Sequence, residues 1–347
     1  SRHRVPSTVA RALIINSGNS NAATGEPGIQ DAKAMTAALA EQLGCDAASV
    51  FVCSTGVIGV PLPMPVILKG IRPGVQGLGN SDTHLLDAAT AMMTTDTFPK
   101  LTSIDVAVTG GTIRVSGVCK GAAMIAPNMA TMLSVVMTDA RLSPEQCDSA
   151  LRFGVDRTFN CISVDGHMST SDTVLLLANG AAAGGSLSDS DFARVQEAIQ
   201  QVCQKLATDI IRDAEGADHF ITIDVTGLET RDAAYRMAKE IADSALVKTA
   251  ITGGDPNWGR IVSAAGYAQV DFDTAFVSLH INGTEVYRAG TPLPFDAAAL
   301  SSQLKSNRDV HLLLAVSGGS CSGKESVRFW TSDLTQEYVR LNSEYTT

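Results

Sequence analysis

The sequence lacks the features that mark several large classes of protein. Its 347 residues contain no apolar run close to the roughly 18 residues that a membrane-spanning helix needs. The formal net charge is −10 and no basic stripe is present, which argues against binding to nucleic acid. No internal repeat and no low-complexity linker is visible. We therefore expect neither a membrane nor a nucleic acid as a partner.

Cysteine and histidine are present but are not grouped. The seven cysteines include no C-x-x-C pair, a pattern that predicts reduced thiols and a cytoplasmic protein. The six histidines are equally dispersed, so we predict no metal site. The chain begins with Ser1 and no signal peptide follows, so we expect a trimmed or processed start. The polar stretch 1–7 is typical of a frayed terminus rather than of a nucleophile.

Helical and strand patterns are mixed along the chain, which is typical of an α/β fold. Residues 31–43 and 85–93 have helical periodicity, and a long apolar stripe after "SLSDSD" predicts a third helix. Ser143 and Gln146 have the spacing of a capping box around Pro144. Residues 9–15 and 49–53 are predicted strands, and hairpins are predicted at Gly110-Gly111 and Asn282-Gly283. We therefore expect helices layered over mixed sheets.

A glycine-rich stretch, "LLLAVSGGSCSGKES", has the spacing of a phosphate-binding loop. That loop needs Ser or Thr directly after its lysine, to hold Mg²⁺. Here Glu325 follows Lys324, and a strand rather than a helix is predicted after it. We therefore interpret residues 318–324 as part of a β-hairpin. A non-catalytic nucleotide-binding protein is a weak alternative.

Thr131, in "NMATML", has two interpretations. A threonine in an apolar segment is most often an ordinary strand residue. It could instead attack the carbonyl of the small Ala130 and, after hydrolysis of the resulting ester, become a new N-terminus. The freed α-amine has a reference pKa of about 7.7–8.0 and could act as the base for the hydroxyl of the same residue. Spacing alone does not decide between these interpretations.

Two further segments carry candidate catalytic or binding groups. In "STG", Thr55 could offer a hydroxyl and Gly56 an unobstructed N–H to a developing oxyanion, although a plain turn is the simpler interpretation. In "RDAEGADHF", Asp213 and Glu215 follow a long helix, where acidic residues oppose the helix dipole. We therefore expect a cationic partner at this position.

Six motifs together resemble one family. They are "KGAAMIAPNMATML", "STGVIG", "MMTTDT", "EGA", "DPNWGR" and "DLTQEYVRLNSEYTT". In combination they resemble the glutamate N-acetyltransferase family, also called ornithine acetyltransferase, and the similarity runs from "ALIINSGNSNAATG" to the last residue. The resemblance implies an α/β/β/α sandwich, like that of N-terminal-nucleophile hydrolases but with its own topology. It also implies self-cleavage into α and β chains that remain associated, commonly as a heterotetramer.

Carried onto this sequence, the resemblance implies a cut between Ala130 and Thr131. The chain then consists of an α-chain segment, 1–130, which is shorter at its start than in the family, and a β-chain segment, 131–347. Thr131 is the implied nucleophile, and Thr55 and Gly56 match the oxyanion pair. The implied substrate ligands are Thr97, Lys120, Thr131, Glu215, Asn342 and Thr347. Thr94 and Thr95 remain alternatives to Thr97.

The implied reaction moves an acetyl group from N²-acetylornithine to glutamate for arginine biosynthesis, through an ester on Thr131. It requires no metal and no bound organic cofactor, and the use of acetyl-CoA as a further substrate is left open. We expect Lys120 to meet a carboxylate and Glu215 to meet the ornithine ammonium. The nearest alternative is a self-cleaving aminopeptidase of the same broad fold. Where the family usually has a lysine in "EGATKF", this sequence has His219.

Overall fold

The computed structural model describes residues 2–125, 132–182, 185–319 and 322–344. Its strands are β1 (Ala12–Asn19), β2 (Val50–Val57), β3 (Lys100–Val108), β4 (Gly111–Lys120), β5 (Leu133–Thr138), β6 (Ile162–Ser163), β7 (Thr173–Ala178), β8 (Phe220–Leu228), β9 (Val277–Ile281), β10 (Thr284–Arg288), β11 (Thr291–Pro292), β12 (Asp309–Val316) and β13 (Ser322–Ser332). Its α-helices are α1 (Gly25–Leu43), α2 (Met64–Gln76), α3 (Asp82–Ala91), α4 (Pro144–Val155), α5 (Asp189–Arg212), α6 (Arg231–Asp243), α7 (Ala245–Thr252), α8 (Trp258–Gly266), α9 (Ala297–Ser306) and α10 (Gln336–Glu344).

The strands that the structure describes form one small sheet and two larger ones. β1 and β2 form a parallel pair. A four-stranded sheet has the order β3-β4-β5-β7, with antiparallel pairs except between β5 and β7. A seven-stranded mixed sheet has the order β11-β10-β9-β12-β8-β13-β6. Together with the helices, these sheets confirm the predicted α/β class.

Helix α5 connects the two larger sheets. It contacts β3 and β4 of one sheet and β6 and β13 of the other. The predicted stripe is buried from Val195 to Ile210. At Gly117 the helix approaches β4 so closely that an added Cβ would lie 2.7 Å from Val202 and 2.8 Å from Leu206. A side chain at position 117 would therefore push α5 away from the sheet.

The seven-stranded sheet buries one face under α6. Along β8 the alternate residues Ile221, Ile223 and Val225 are almost fully buried, as the two-residue repeat of a strand requires. α6 packs against β8 and β13, and its Tyr235 ring lies 6.1 Å from that of Phe329. Burying this apolar stripe removes hydrophobic area from water, the main favourable contribution to folding.

The β1–β2 pair packs against the four-stranded sheet through an apolar cluster that includes Cys53 and Leu133, while α1 packs against the pair itself and α2 packs against α1. Ser20, just after β1, hydrogen-bonds Ser171, just before β7. The thiol of Cys53 in β2 lies at the hydroxyl of Thr173 in β7. The carboxyl end of β2 is thereby placed next to the start of β7.

Several local predictions are confirmed. α1 ends before Gly44, whose φ of 64° is the left-handed conformation typical of a helix C-terminus. The capping box is present, with the hydroxyl of Ser143 accepting from the Gln146 amide at 3.2 Å and the Gln146 side chain accepting from the Ser143 amide at 2.9 Å. Asn282 and Gly283 have positive φ in the turn between β9 and β10.

Other local predictions are corrected. β1 begins at Ala12 rather than at residue 9 and continues through Asn19, because parallel pairing with β2 extends the strand into the predicted loop. "STG" is the last part of β2 rather than a turn. The predicted hairpin around residues 318–324 is wrong, since β12 and β13 lie on opposite sides of β8. The segment "SVRFWT" is a strand, as predicted.

Two findings limited to the described ranges concern membranes and thiols. No helix there is both long enough and apolar enough to cross a lipid bilayer. The cysteines that these ranges contain are free thiols rather than disulfide partners.

A buried histidine joins β8 to the segment after β13. The Nδ1 atom of His219 lies 2.7 Å from Oδ2 of Asp333, and its Nε2 atom lies 2.9 Å from the carbonyl oxygen of Leu304. Both partners can only accept, so both ring nitrogens must donate and the ring must carry a proton on each. The hydrogen bond to Asp333 raises the pKa of His219 against the opposing effect of burial. A protonated His219 thus supplies a buried cation at the position where the resemblance implies a lysine.

This contact predicts a pH-dependent contribution to stability. The folded-state pKa of His219 is raised above its unfolded value of about 6.5, so the contribution is complete below that pH and is lost as pH rises through the folded pKa. At pH values below the unfolded pKa, we expect the Tm of His219→Gln to be lower than that of the wild type by at least about 2 °C. This difference should shrink as the pH rises.

Thr252→Val is the matched control, because the Thr252 hydroxyl, which does not titrate in this pH range, lies 3.1 Å from the same Asp333 carboxylate. Its effect on Tm should be similar across this pH range. A His219→Gln difference that is constant with pH, or that grows as pH rises, would contradict a protonated His219.

Candidate active site

The predicted site residues lie where several elements end. β4 ends at Lys120, which pairs with Leu133 at the start of β5. Leu133 in turn pairs with Thr173 at the start of β7. Ala130, Thr131 and Thr347 lie outside the described residues, so the proposed cut, nucleophile and last ligand remain predictions. Their chain neighbours define the surroundings of the site.

Thr55 and Gly56 lie side by side near the carboxyl end of β2. Thr55 is buried, and Gly56 has a φ of 123°, a conformation that favours glycine. A Cβ at Gly56 would lie 2.3 Å from the carbonyl carbon of Gly18, its partner in β1. Close pairing with β1 therefore requires glycine at position 56. The oxyanion role of the two residues remains a prediction.

Lys120 is a buried cation with one close polar contact among the described residues. Its side chain is 3% exposed, and its Nζ atom donates to the hydroxyl of Thr94 at 2.6 Å. The carboxylate of Asp96 is farther away, at 3.9 Å. Burial lowers the pKa of Lys120, although Asp96 and Glu215 oppose this shift. A buried ammonium without a close carboxylate is suited to bind an anionic group from outside the chain.

Asp96 is engaged by Lys100 rather than by Lys120. The fully buried Lys100 ammonium contacts Asp96 at 2.7 Å and Asp213 at 2.5 Å. Burial opposes a charge on Lys100, but Asp96 and Asp213 outweigh it and raise its pKa. Asp96 also accepts the amide of Gly121 at 2.6 Å. The cationic partner that the sequence predicts for Asp213 is therefore Lys100.

The threonines of "TTDT" have different partners. The exposed Thr97 is held by Asp213, which accepts its amide at 2.9 Å and also its hydroxyl. The Thr94 hydroxyl instead accepts from Lys120. The structure thus brings Thr94 to the predicted lysine and keeps the Thr97 hydroxyl on Asp213. Sequence spacing could not separate the threonines, because they lie within four consecutive residues.

Glu215 and Asn342, which the resemblance implies as substrate ligands, contact each other, and their role remains a prediction. The Asn342 side-chain amide donates to Glu215 Oε2 at 3.2 Å, so α10 lies against the segment after α5. This approach requires Gly216, where a Cβ would lie 2.4 Å from the amide nitrogen of Tyr338. The Glu215 amide donates to Ala122 at 3.0 Å, which places Glu215 close to the end of β4.

Two aspartates that the sequence did not single out hold the chain on either side of residues 126–131. Asp165 accepts the amides of Met124 and Ile125 at 2.7 and 3.0 Å. Asp172 accepts the amide of Met132 at 3.0 Å. Both aspartates lie in polar turns, "SVDGH" and "STSDT", where sequence alone predicts only local hydrogen bonds.

Comparison with known proteins identifies the family. The sequence profile described as "ArgJ family" matches residues 1–347. The chain belongs to the ArgJ family. The predicted resemblance is therefore confirmed.

Named relatives agree with this assignment. "Arginine biosynthesis bifunctional protein ArgJ" of Rhodopirellula baltica is 48% identical, over 100% of this chain and 84% of its own. The mitochondrial protein of the same name from Heterostelium pallidum is 43% identical, over 97% of this chain and 80% of its own. A crystal structure of the ArgJ protein of Bacillus halodurans matches with a TM-score of 0.58 and 35% identity, covering 61% of this chain and 98% of the solved one. The predicted fold class is thus confirmed.

Within the described ranges, no three His, Cys, Asp or Glu residues are grouped so that they could hold a metal ion. The charged groups described above instead form a compact arrangement of two lysines and two aspartates.

Removing the Lys100 ammonium should lower the free energy of unfolding. Lys100→Met leaves Asp96 and Asp213 buried without their cation, and we expect a loss of about 3–5 kcal/mol in the free energy of unfolding. Urea denaturation measures this loss. Arg152→Met is the control, since it removes an exposed ion pair with Asp148 that contributes about 0–1 kcal/mol. Equal losses in the two variants would show that Lys100 is not essential to the buried cluster.

Proposed function

We propose that this chain is an acetyltransferase that transfers the acetyl group of N²-acetylornithine to glutamate through an ester on Thr131. The observation that carries the proposal is the buried Lys120 ammonium beside the Thr94 hydroxyl. Lys120 pairs with Leu133, which follows the predicted nucleophile by two residues in the chain. The names of the relatives, which place them in arginine biosynthesis, support the same reaction.

The reaction needs two half-steps at one nucleophile. The Thr131 hydroxyl attacks the acetyl carbonyl, and its proton passes to the terminal amine. The terminal amine gives this proton to the departing nitrogen as the C–N bond breaks and ornithine leaves. The amine of glutamate then attacks the ester carbonyl and loses a proton to the terminal amine, which passes it to the Thr131 oxygen as the C–O bond breaks and N-acetylglutamate leaves. Thr55 and Gly56 would stabilise the oxyanion that forms in each half-step. We expect this chemistry to proceed without a metal or a bound organic cofactor.

One pocket must accept two amino acids in turn. Both carry an α-carboxylate, which Lys120 and the Thr94 hydroxyl would bind. Ornithine also carries a side-chain ammonium, for which Glu215, held by Asn342, is the matching carboxylate. Thr347 remains a predicted ligand from the C-terminal segment. The use of one carboxylate site for both substrates requires that they bind one after the other.

Self-cleavage between Ala130 and Thr131 is supported by the proportions of a solved relative. The match covers 98% of the Bacillus halodurans chain but only 61% of this chain, so the solved chain is much shorter than this one. Segment 131–347 makes up nearly the same fraction of this chain. A relative that was solved as two pieces, of which the matched chain is the second, would have these proportions.

Further properties follow from the family. The relatives are named bifunctional, and we assign the second activity to acetylation of glutamate by acetyl-CoA. We further propose that the α and β chains assemble as a heterotetramer in the cytoplasm. One relative is named as mitochondrial, so the compartment can differ between members of the family.

Intact mass under denaturing conditions tests the central step. The wild type should give two pieces that meet at 130/131, and Thr131→Ala should give one uncut piece without acetyl transfer. Ping-pong kinetics with N-acetylornithine and glutamate should accompany the cleaved form. An active wild type of full mass would contradict the mechanism, and release of free amino acids from peptides would favour the aminopeptidase instead.

The two threonine assignments can be separated by matched variants. Thr94→Val removes the hydroxyl beside Lys120 and should raise KM for both substrates about 10-fold. Thr97→Val removes a hydrogen bond to Asp213 and should lower Tm while changing KM by less than about 2-fold. The opposite pattern in steady-state kinetics would restore Thr97 as the substrate ligand.

A further inference from the structure

Asp172 has an unusual partner for an aspartate at the start of a strand. Its Oδ2 atom accepts the amide of Ser169 at 3.3 Å, an ordinary local contact. Its Oδ1 atom accepts the amide of Met132 at 3.0 Å, and Met132 is distant in sequence. The next residue, Thr173, donates its own amide to the Met132 carbonyl at 3.1 Å. Both backbone groups of Met132 are therefore fixed by the start of β7.

Met132 directly follows Thr131 in the chain. Fixing the Met132 amide restricts the peptide unit that joins the two residues, because that unit is planar. A nucleophile held within a few tenths of an ångström gains a large rate advantage over one that is free to move. The hydrogen bond from Met132 to Asp172 is thus placed to orient the predicted nucleophile.

The pKa of Asp172 lies near neutral pH. Burial raises the pKa of Asp172 to about 7, although the amides of Met132 and Ser169 and the charge of Lys120 oppose the shift. Among the described residues, Lys120 on β4 is the charged side chain that acts on the pKa of Asp172. The Cys53 thiol on β2 contacts the hydroxyl of the adjacent Thr173. An ionised carboxylate accepts an N–H bond more strongly than a neutral one does.

We propose that Asp172 is a positioning residue for Thr131, and that its ionised carboxylate orients the backbone for self-cleavage by holding the Met132 amide. The inference rests on the proposed function, in which Thr131 is both the cleavage site and the nucleophile. It adds a residue that acts through the peptide unit between Thr131 and Met132 rather than by contact with substrate.

Measuring self-cleavage separates the role of Asp172 from the titration of the terminal amine of Thr131, which is the other titrating group of the mechanism. Before the cut, the nitrogen of Thr131 is part of a peptide bond and cannot titrate. The pH dependence of cleavage therefore reports on neighbouring groups and not on the nucleophile's amine. Full-length chain can be made by cell-free translation, and the translation is then stopped with an inhibitor. Samples of the chain are transferred to a series of pH values. Intact mass then gives the uncut fraction with time.

The wild-type cleavage rate should rise as pH increases through about 7, where Asp172 loses its proton. Asp172→Ala should slow cleavage by about 10-fold or more at high pH. Asp172→Asn, which keeps an acceptor but no charge, should be slowed less and should lose the rise with pH. Lys120→Met should keep the rise but move it to higher pH, because a nearby cation favours the ionised carboxylate.

Asp139→Asn and Asp139→Ala are matched controls. Asp139 follows the opposite end of β5 and accepts a backbone amide, that of Arg114, at 2.8 Å. Both Asp139 variants should cleave with the wild-type rate and pH dependence. If Asp172→Ala does not fold, as judged by thermal unfolding, the isosteric Asp172→Asn decides through its pH profile.

Two results would overturn the proposal and can be told apart. If the wild type cleaves and Asp172→Asn shows the same rate and the same rise with pH, Asp172 has no positioning role while the proposed function stands. If the wild-type chain stays whole at every pH, self-cleavage itself is wrong and the role of Asp172 fails with it.

Discussion

The candidate site depends on one buried cation, Lys100. Its ammonium is fully buried between Asp96 and Asp213, and none of these three charges could be buried alone without a large loss of free energy. Lys100 begins β3, Asp96 lies in the turn before it, and Asp213 caps α5. The three charges can meet only when the four-stranded sheet, this turn and the long helix have all docked.

The same cluster explains why a second lysine remains available. Asp96 is held by Lys100 and by the Gly121 amide, so Lys120 has a carboxylate near it but not in close contact. The pairing with Lys100 therefore lets a second ammonium be buried close by. In the proposed function, a substrate carboxylate would complete the interactions of that ammonium. Glu215, which follows Asp213 by two residues, takes its position from the same docked helix end.

The sequence predicted those parts of the fold that depend on local chemistry. The capping box at Ser143, the glycine after α1 and the turn at Asn282-Gly283 each follow from a few neighbouring residues. It did not predict that β8 separates β12 from β13, because strand order is decided by contacts between distant segments.

The candidate site was predicted unevenly for a similar reason. The family resemblance implies Lys120, Glu215 and Asn342 as substrate ligands, which remains a prediction, and the structure brings the latter two into contact. Lys100 and Asp172 were missed because their partners are far away in sequence, so that no local pattern marks them. Such residues become visible only when burial and hydrogen bonding are known.

The position of the proposed cut explains how one chain could become two without coming apart. Segment 1–130 supplies β3 and β4 of the four-stranded sheet, and segment 131–347 supplies β5 and β7. The antiparallel pairing of β4 with β5, from Val115 opposite Thr138 to Lys120 opposite Leu133, joins the two segments directly. α5, from the second segment, packs across β3 and β4 of the first. A cut before Thr131 would therefore free an amine while the ladder and the shared core kept both pieces in place.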